Sequence, residues 1–219
     1  MRPILLGVKR DTWREDDLRE DDRFRDARAK ALSRDGSRCQ FCGWVDDKWL
    51  EAHHVDDDHE NNDPQNLVTA CAWCHRAHHI GLAGVFQLGF IALHPIPGQV
   101  LPSQPMINQM IRFYDWAAYS GRSQSPYVKR WVATCQEFFE LAVKSAEHVL
   151  GTANPSELGD VLLNLDQTSY EARGTWLDGF RLVPIFFDEL DQGAEQHRLE
   201  LERRKHWMNR IKTIVGPPR

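Results

Sequence analysis

Two C-x-x-C pairs, Cys39-Gln-Phe-Cys42 and Cys71-Ala-Trp-Cys74, constrain the fold of this chain more than any other feature. Each pair presents two sulfurs from one tight turn, and two pairs so spaced read as a single tetrahedral four-cysteine zinc site. An ion shared between them encloses the intervening chain in one small unit, and in a unit that small the metal supplies folding free energy outright. The alternative is two reduced, partly buried pairs without metal. Only Cys135 stands outside the pairs. The opening residues carry too short an apolar run for a signal peptide, so the cysteines read as metal ligands in a reducing compartment rather than as disulfides.

The enclosed segment carries the chemistry. Residues 49–55 alternate as a strand bearing His53 and His54, which ends in the acidic loop from Asp56 to Pro64. Asn66-Leu67-Val68-Thr69 then leads into the second knuckle, and Cys74 to Ile80 should open a helix closed by Gly81 or Gly84. Neighbours on a strand face opposite sides, so His53 and His54 cannot both serve one ion in a regular strand. At a strand end, one can bind a divalent cation while the other activates water. Imidazole, with an ordinary pKa near 6.5, is suited to take a proton from water at neutral pH, and a divalent cation would stabilise charge developing on a phosphate. His75 and His79 lie four apart and share a helix face. Asn66 can orient the base by hydrogen bonding.

Elsewhere, residues 3–9 read as a short strand and residues 11–20 as a solvated charged run. A helix is expected over Asp22 to Arg34, with Phe24, Ala27, Ala31 and Leu32 on one face and Asp35-Gly36 as its stop. Its arginines, with Arg38 beyond it, alternate with aspartates and read as a solvated face. Leu88 to Leu93 reads as a strand. Helices are expected over Ser103 to Ser120, from Pro126 to Gly151 after a Ser125 cap, from Pro155 to Leu165 and from Pro184 to Val215. The expected fold is α+β, with a zinc-bound domain, built on the four cysteines, over residues 1–95 (core 36–84) and a mainly helical region over residues 96–219. Trp116, Trp131, Phe138 and Phe139 read as core, with a partner groove as the alternative. The longest apolar stretch, Gly81 to Leu93, is too short to span a bilayer, so no membrane insertion is expected. A net charge of −5 is unusual for a dedicated nucleic-acid binder. Any grip on DNA must then come from a local basic patch, bound metals or a partner.

The order Cys-x-x-Cys, His-His, Asn, Cys-x-x-Cys-His resembles the HNH, or ββα-metal, endonucleases. The resemblance implies His54 as general base and Asn66 as the positioning residue. It also implies His53, His75 and His79 as ligands of a catalytic Mg²⁺ or Mn²⁺, beside structural Zn²⁺ on the four cysteines. The block Cys39-Gln-Phe-Cys-Gly43, together with residues 54–71, is similar to the IcmJ (DotN) family of type IVB secretion systems and related conjugation machines. Fainter similarity runs through residues 90–95 and 150–156. That resemblance implies an adaptor packed against a coupling-protein ATPase, cytoplasmic and peripheral to an inner-membrane complex. Retention of His53, His54 and His75 departs from members that have lost the nuclease histidines. One reading is thus a metal-dependent endonuclease on double-stranded DNA within such a machine. The other is a catalytically inactive adaptor whose zinc is purely structural. A third, a zinc-dependent DNA-binding module without catalysis, lacks the basic patch it would need.

Overall fold

A computed structural model describes residues 2–9, 22–119 and 125–215; the charged run over residues 11–20 lies outside them. In chain order the elements begin with α1 (Asp22–Arg34), β1 (Leu50–His54), β2 (Leu67–Cys71), α2 (Ala72–His78) and α3 (Ile80–Val85). They continue with β3 (Gly89–Ala92), α4 (Gln104–Tyr119), α5 (Pro126–Leu150), α6 (Pro155–Leu163), α7 (Gln167–Glu171) and α8 (Arg173–Trp176). β4 (Arg181–Pro184), a 3₁₀ turn (Phe187–Glu189) and α9 (Glu195–Val215) complete the chain. Two compact units result, residues 1–85 with 155–178 and residues 86–154 with 179–219. The chain thus enters the first unit twice. Residues 155–178, expected within the helical region, belong with the cysteine pairs.

In the first unit, β1 and β2 pair antiparallel with Leu50 opposite Cys71 and His54 opposite Leu67, and α2 follows directly. α1 has the bounds expected of it and buries Ala27 and Ala31 against Ala52 and Leu67, with Phe24 packed alongside. Its arginines do more than solvate a face. Arg28 donates to the Leu50 carbonyl, while Arg34 donates to the Pro64 and Leu67 carbonyls, fastening α1 to the hairpin. Asp35 completes the joint by accepting from the Thr69 N–H.

Two expectations fail here for physical reasons. Residues 3–9 form no strand, because their backbone groups find partners outside any ladder. The Val8 N–H and carbonyl both bond the Tyr170 hydroxyl, the Gly7 carbonyl takes the Ile80 N–H, and the Leu6 carbonyl takes Arg173 Nε. Gly81 and Gly84 do not end a helix but lie inside α3. The break falls instead at His79, whose φ of −129° and ψ of 58° leave the helical region. Gly81 serves close packing: a Cβ added to Gly159 of α6 would stand 3.1 Å from the Gly81 Cα.

The second unit holds the antiparallel pair β3–β4, in which Gly89 faces Pro184. A Cβ on Gly89 would meet the Val183 carbonyl at 2.7 Å, so that register requires glycine. α5 starts at Pro126 after Ser125 and stops at Gly151, which takes a left-handed φ of 76°. The helix expected from Pro184 begins only at Glu195. Residues 181–184 are drawn into β4 by a strand about 90 positions earlier, far beyond any local pattern, and the Asp191 N–H donates to His197 Nδ1 ahead of α9. Among the described residues, no helix is long and apolar enough to cross a membrane.

Candidate metal centre and histidine cluster

Cys39 and Cys42 sit on a tight turn closed by the Gly43 N–H bonding the Cys39 carbonyl, with Gly43 at a φ of 74°. Cys71 ends β2 and Cys74 lies in the first turn of α2. The four sulfurs lie within 4.8 Å of one another, and all four residues are buried. Cys42 Sγ and Cys71 Sγ are 3.7 Å apart. Ligand sulfurs around a tetrahedral ion with metal–sulfur bonds of about 2.3 Å stand about 3.8 Å apart, so the residues fit a closed tetrahedral site. Hydrogen bonding among the thiols pulls Cys42 down while pushing Cys39 and Cys74 up. Without a cation the group cannot ionise together. These cysteines are positioned to bind a metal ion.

Beside them the hairpin sorts its two histidines as strand geometry requires. His53 faces α2, stacking on His78 with ring centres 4.1 Å apart, and its edge meets His75 and His79. A nitrogen from each of His53, His75 and His79 falls within 4.8 Å of the others. Glu51, two residues before His53 on the same strand face, reaches His75 Nδ1 at 2.6 Å. That contact fixes the ring and leaves Nε2 to coordinate, as carboxylate–histidine pairs do at metal sites. Among the described residues, His53 Nδ1 and both ring nitrogens of His79 are buried without hydrogen-bond partners. Buried polar atoms are normally satisfied, so orphaned lone pairs converging on one point are what a cation would satisfy. Burial, with neighbouring imidazoles reinforcing it, holds His53 and His79 far below the usual histidine range, so both rings are neutral at pH 7 and able to offer a lone pair.

His54 faces the other way, stacked between Phe24 of α1 and His59. Its Nε2 lies 3.1 Å from Asn62 Oδ1. A carboxamide oxygen only accepts, so Nε2 carries the proton and Nδ1 keeps a lone pair. Burial lowers the His54 pKa and the Asn62 contact partly restores it.

Asn66 is not at the His54 ring. Its side chain accepts from the Asp56 N–H and donates to Asp56 Oδ1 and the Asn61 carbonyl, which pins the start of the loop two residues after His54. Asp56 in turn, despite some burial, is held below the usual carboxylate range by Asn61 and Asn66. The sequence reading did not single out Glu51, His59, Asn62 or His78. His78 had a signal, since it stands three residues from His75 on a helix; the other three are recruited by tertiary approach alone.

Residues 39–80 match the HNH endonuclease family. The match spans the knuckles, the hairpin and α2, and the mixed architecture with a mainly helical remainder agrees with an HNH domain embedded in a larger chain. The chain is also similar to the type 4 apparatus protein DotN of Legionella pneumophila subsp. pneumophila strain Philadelphia 1. The two are 27% identical over 180 residues, covering 79% of each. Similarity to that protein therefore runs well past the HNH segment, into residues the nuclease fold does not need.

Proposed function

We propose that this chain is a zinc-stabilised HNH-fold component of a type IVB secretion or conjugative DNA-transfer system, with a metal-dependent endonuclease site acting on double-stranded DNA. The observation that carries the catalytic half is the convergence of nitrogens from His53, His75 and His79, those of His53 and His79 unpartnered, beside a His54 whose lone-pair nitrogen is free. Zinc on the four cysteines holds β2 and α2 together, so each histidine is presented from an anchored backbone. His53, His75 and His79 would hold Mg²⁺ or Mn²⁺, which when bound would stabilise charge on the phosphate and the leaving oxygen. His54 Nδ1 takes the proton of the attacking water. Asn62 fixes the tautomer that makes this possible, and Asn66 acts as a positioning residue through the loop it pins.

Similarity to DotN outside residues 39–80 supports placement in a secretion or conjugation apparatus. It also favours a second reading, an inactive adaptor that binds a cytoplasmic coupling-protein ATPase at the inner membrane. Cleavage of supercoiled plasmid by the zinc-loaded protein with Mg²⁺ or Mn²⁺ separates the two. Nicking by the wild type should fall by about 10²-fold or more in His54→Ala with zinc content unchanged. A folded, zinc-loaded wild type that leaves the plasmid intact would leave the adaptor as the function.

A further inference from the structure

Beside His53, a cavity of about 250 Å³ opens in the first unit. His53 and His78 form one wall, and Arg2 and Arg173 bring two cations to it from outside the HNH segment. Leu5 and Phe41 supply apolar surface. Asp57 reaches in from the loop after His54.

Arg173 is held in place before any ligand arrives. Its Nε donates to the Leu6 carbonyl, its Nη1 to the Tyr170 carbonyl, and its guanidinium lies 4.0 Å over the Tyr170 ring. Nη2 has no hydrogen-bond partner among the described residues. His78 Nε2 is likewise buried without one. Among the described residues, Arg2 is tied through its backbone, where its N–H bonds the Gln40 carbonyl, and its side chain is exposed.

This set selects its ligand by chemistry. Two guanidinium groups answer a phosphate. One carboxylate and an apolar wall count against a bare anion, yet they suit a sugar hydroxyl and the flank of a sugar or base. The volume lies just under the roughly 300 Å³ at which small-molecule sites usually begin, so it admits one nucleotide and not a stacked pair. The chain as a whole carries a net charge of −5, and this pocket places two cations beside the candidate metal-site histidine His53.

We propose that Arg2, Arg173 and His78 form a subsite for a single phosphate-bearing nucleotide of the strand presented to the histidine cluster. Arg173 Nη2 and Arg2 bind the phosphate, His78 Nε2 bonds the sugar–phosphate, and Phe41 with Leu5 carries its apolar flank. The identity of the ligand rests on the nuclease reading, whereas the pocket and its charges do not.

The test is an NMR titration of the zinc-loaded protein, without Mg²⁺ or Mn²⁺, using thymidine 5′-monophosphate and, in a second arm, inorganic phosphate. The imidazole signals of His78 report occupancy. Thymidine monophosphate should shift them and bind about tenfold more tightly than inorganic phosphate. Arg2→Glu should weaken it about tenfold with the melting temperature unchanged, and Arg173→Lys, which keeps the charge but loses the planar fork, about threefold. An unshifted His78, equal affinity for inorganic phosphate, or indifference to Arg2→Glu overturns the subsite. Plasmid cleavage run in parallel keeps the two claims apart. Cleavage without nucleotide binding sinks the subsite alone, whereas nucleotide binding without cleavage sinks the nuclease reading and leaves the pocket as a nucleotide site.

Discussion

The Arg204 network of the second unit and the histidine cluster of the first treat their buried polar groups in opposite ways. In the second unit, Arg204 is fully buried yet answered on every side: Nε by Glu200, Nη1 by Asp115 and Nη2 by the Ile185 carbonyl. Gln104 there both gives to and takes from the Leu182 backbone, and both nitrogens of His197 are bonded. In the first unit, His53, His78 and His79 carry buried nitrogens with no hydrogen-bond partner among the described residues. A satisfied network is architecture, because removing any member leaves a buried charge behind. Buried nitrogens without partners cost free energy unless a ligand satisfies them.

The largest expected effect lies at the cysteines. Structural zinc contributes about 10–16 kcal/mol in small zinc-bound folds, comparable to the whole stability of a domain at about 5–15 kcal/mol. Cys74→Ser should therefore lose the metal and melt α2, seen as lost amide protection over residues 72–78 together with loss of zinc by elemental analysis. Retained protection without metal would remove zinc from the account.

Arg204→Met comes next. It strands Asp115 and Glu200 in the second core, at a cost of about 3–5 kcal/mol readable by urea denaturation. A change below about 1 kcal/mol would mean the network is dispensable, and the contrast between the units would fail with it.

A smaller effect has opposite sign in the two units. Burial, with Lys9 adding to it, lowers His59 to about 4, and burial with His75 lowers His78 to about 3, both from 6.5. The unfolded chain then binds protons that the folded one refuses, so the first unit loses stability as pH falls from about 6.5 toward 3. Asp115 runs the other way. Burial outweighs Arg204 and raises it from 3.8 to about 7, so the folded second unit holds a proton the unfolded chain has released. Its contribution is complete below about 4 and is lost as pH rises to about 7. Between pH 7 and pH 5, protection factors should therefore fall in α2 and rise in α4, with Asp115→Asn abolishing the rise. Parallel slopes in both helices would contradict the assignment.

Legibility in the sequence followed the range of the interactions. The bounds of α1 were readable because its apolar face and its Asp35-Gly36 stop are local. The cysteine pairs and the histidine doublet were readable because their spacing is itself the signal. β4 was not legible, since its partner β3 is remote in sequence, and the expected helix starts at the strand's last residue, Pro184. Asn66 fitted the motif while Asn62 looked no different from Asn61, and the path of the loop decides which carboxamide meets His54. Arg2 and Arg173 converge from opposite ends of the first unit's chain, a meeting that no spacing rule encodes.

The central claim is that the converging nitrogens of His53, His75 and His79 are ligands awaiting a divalent cation. Electron paramagnetic resonance of the zinc-loaded protein titrated with Mn²⁺ tests it most directly. The expected result is bound Mn²⁺ with nitrogen hyperfine couplings from imidazole, lost in His79→Ala while the four-cysteine zinc remains. Mn²⁺ that shows no nitrogen coupling, or that binds His79→Ala equally well, would contradict it.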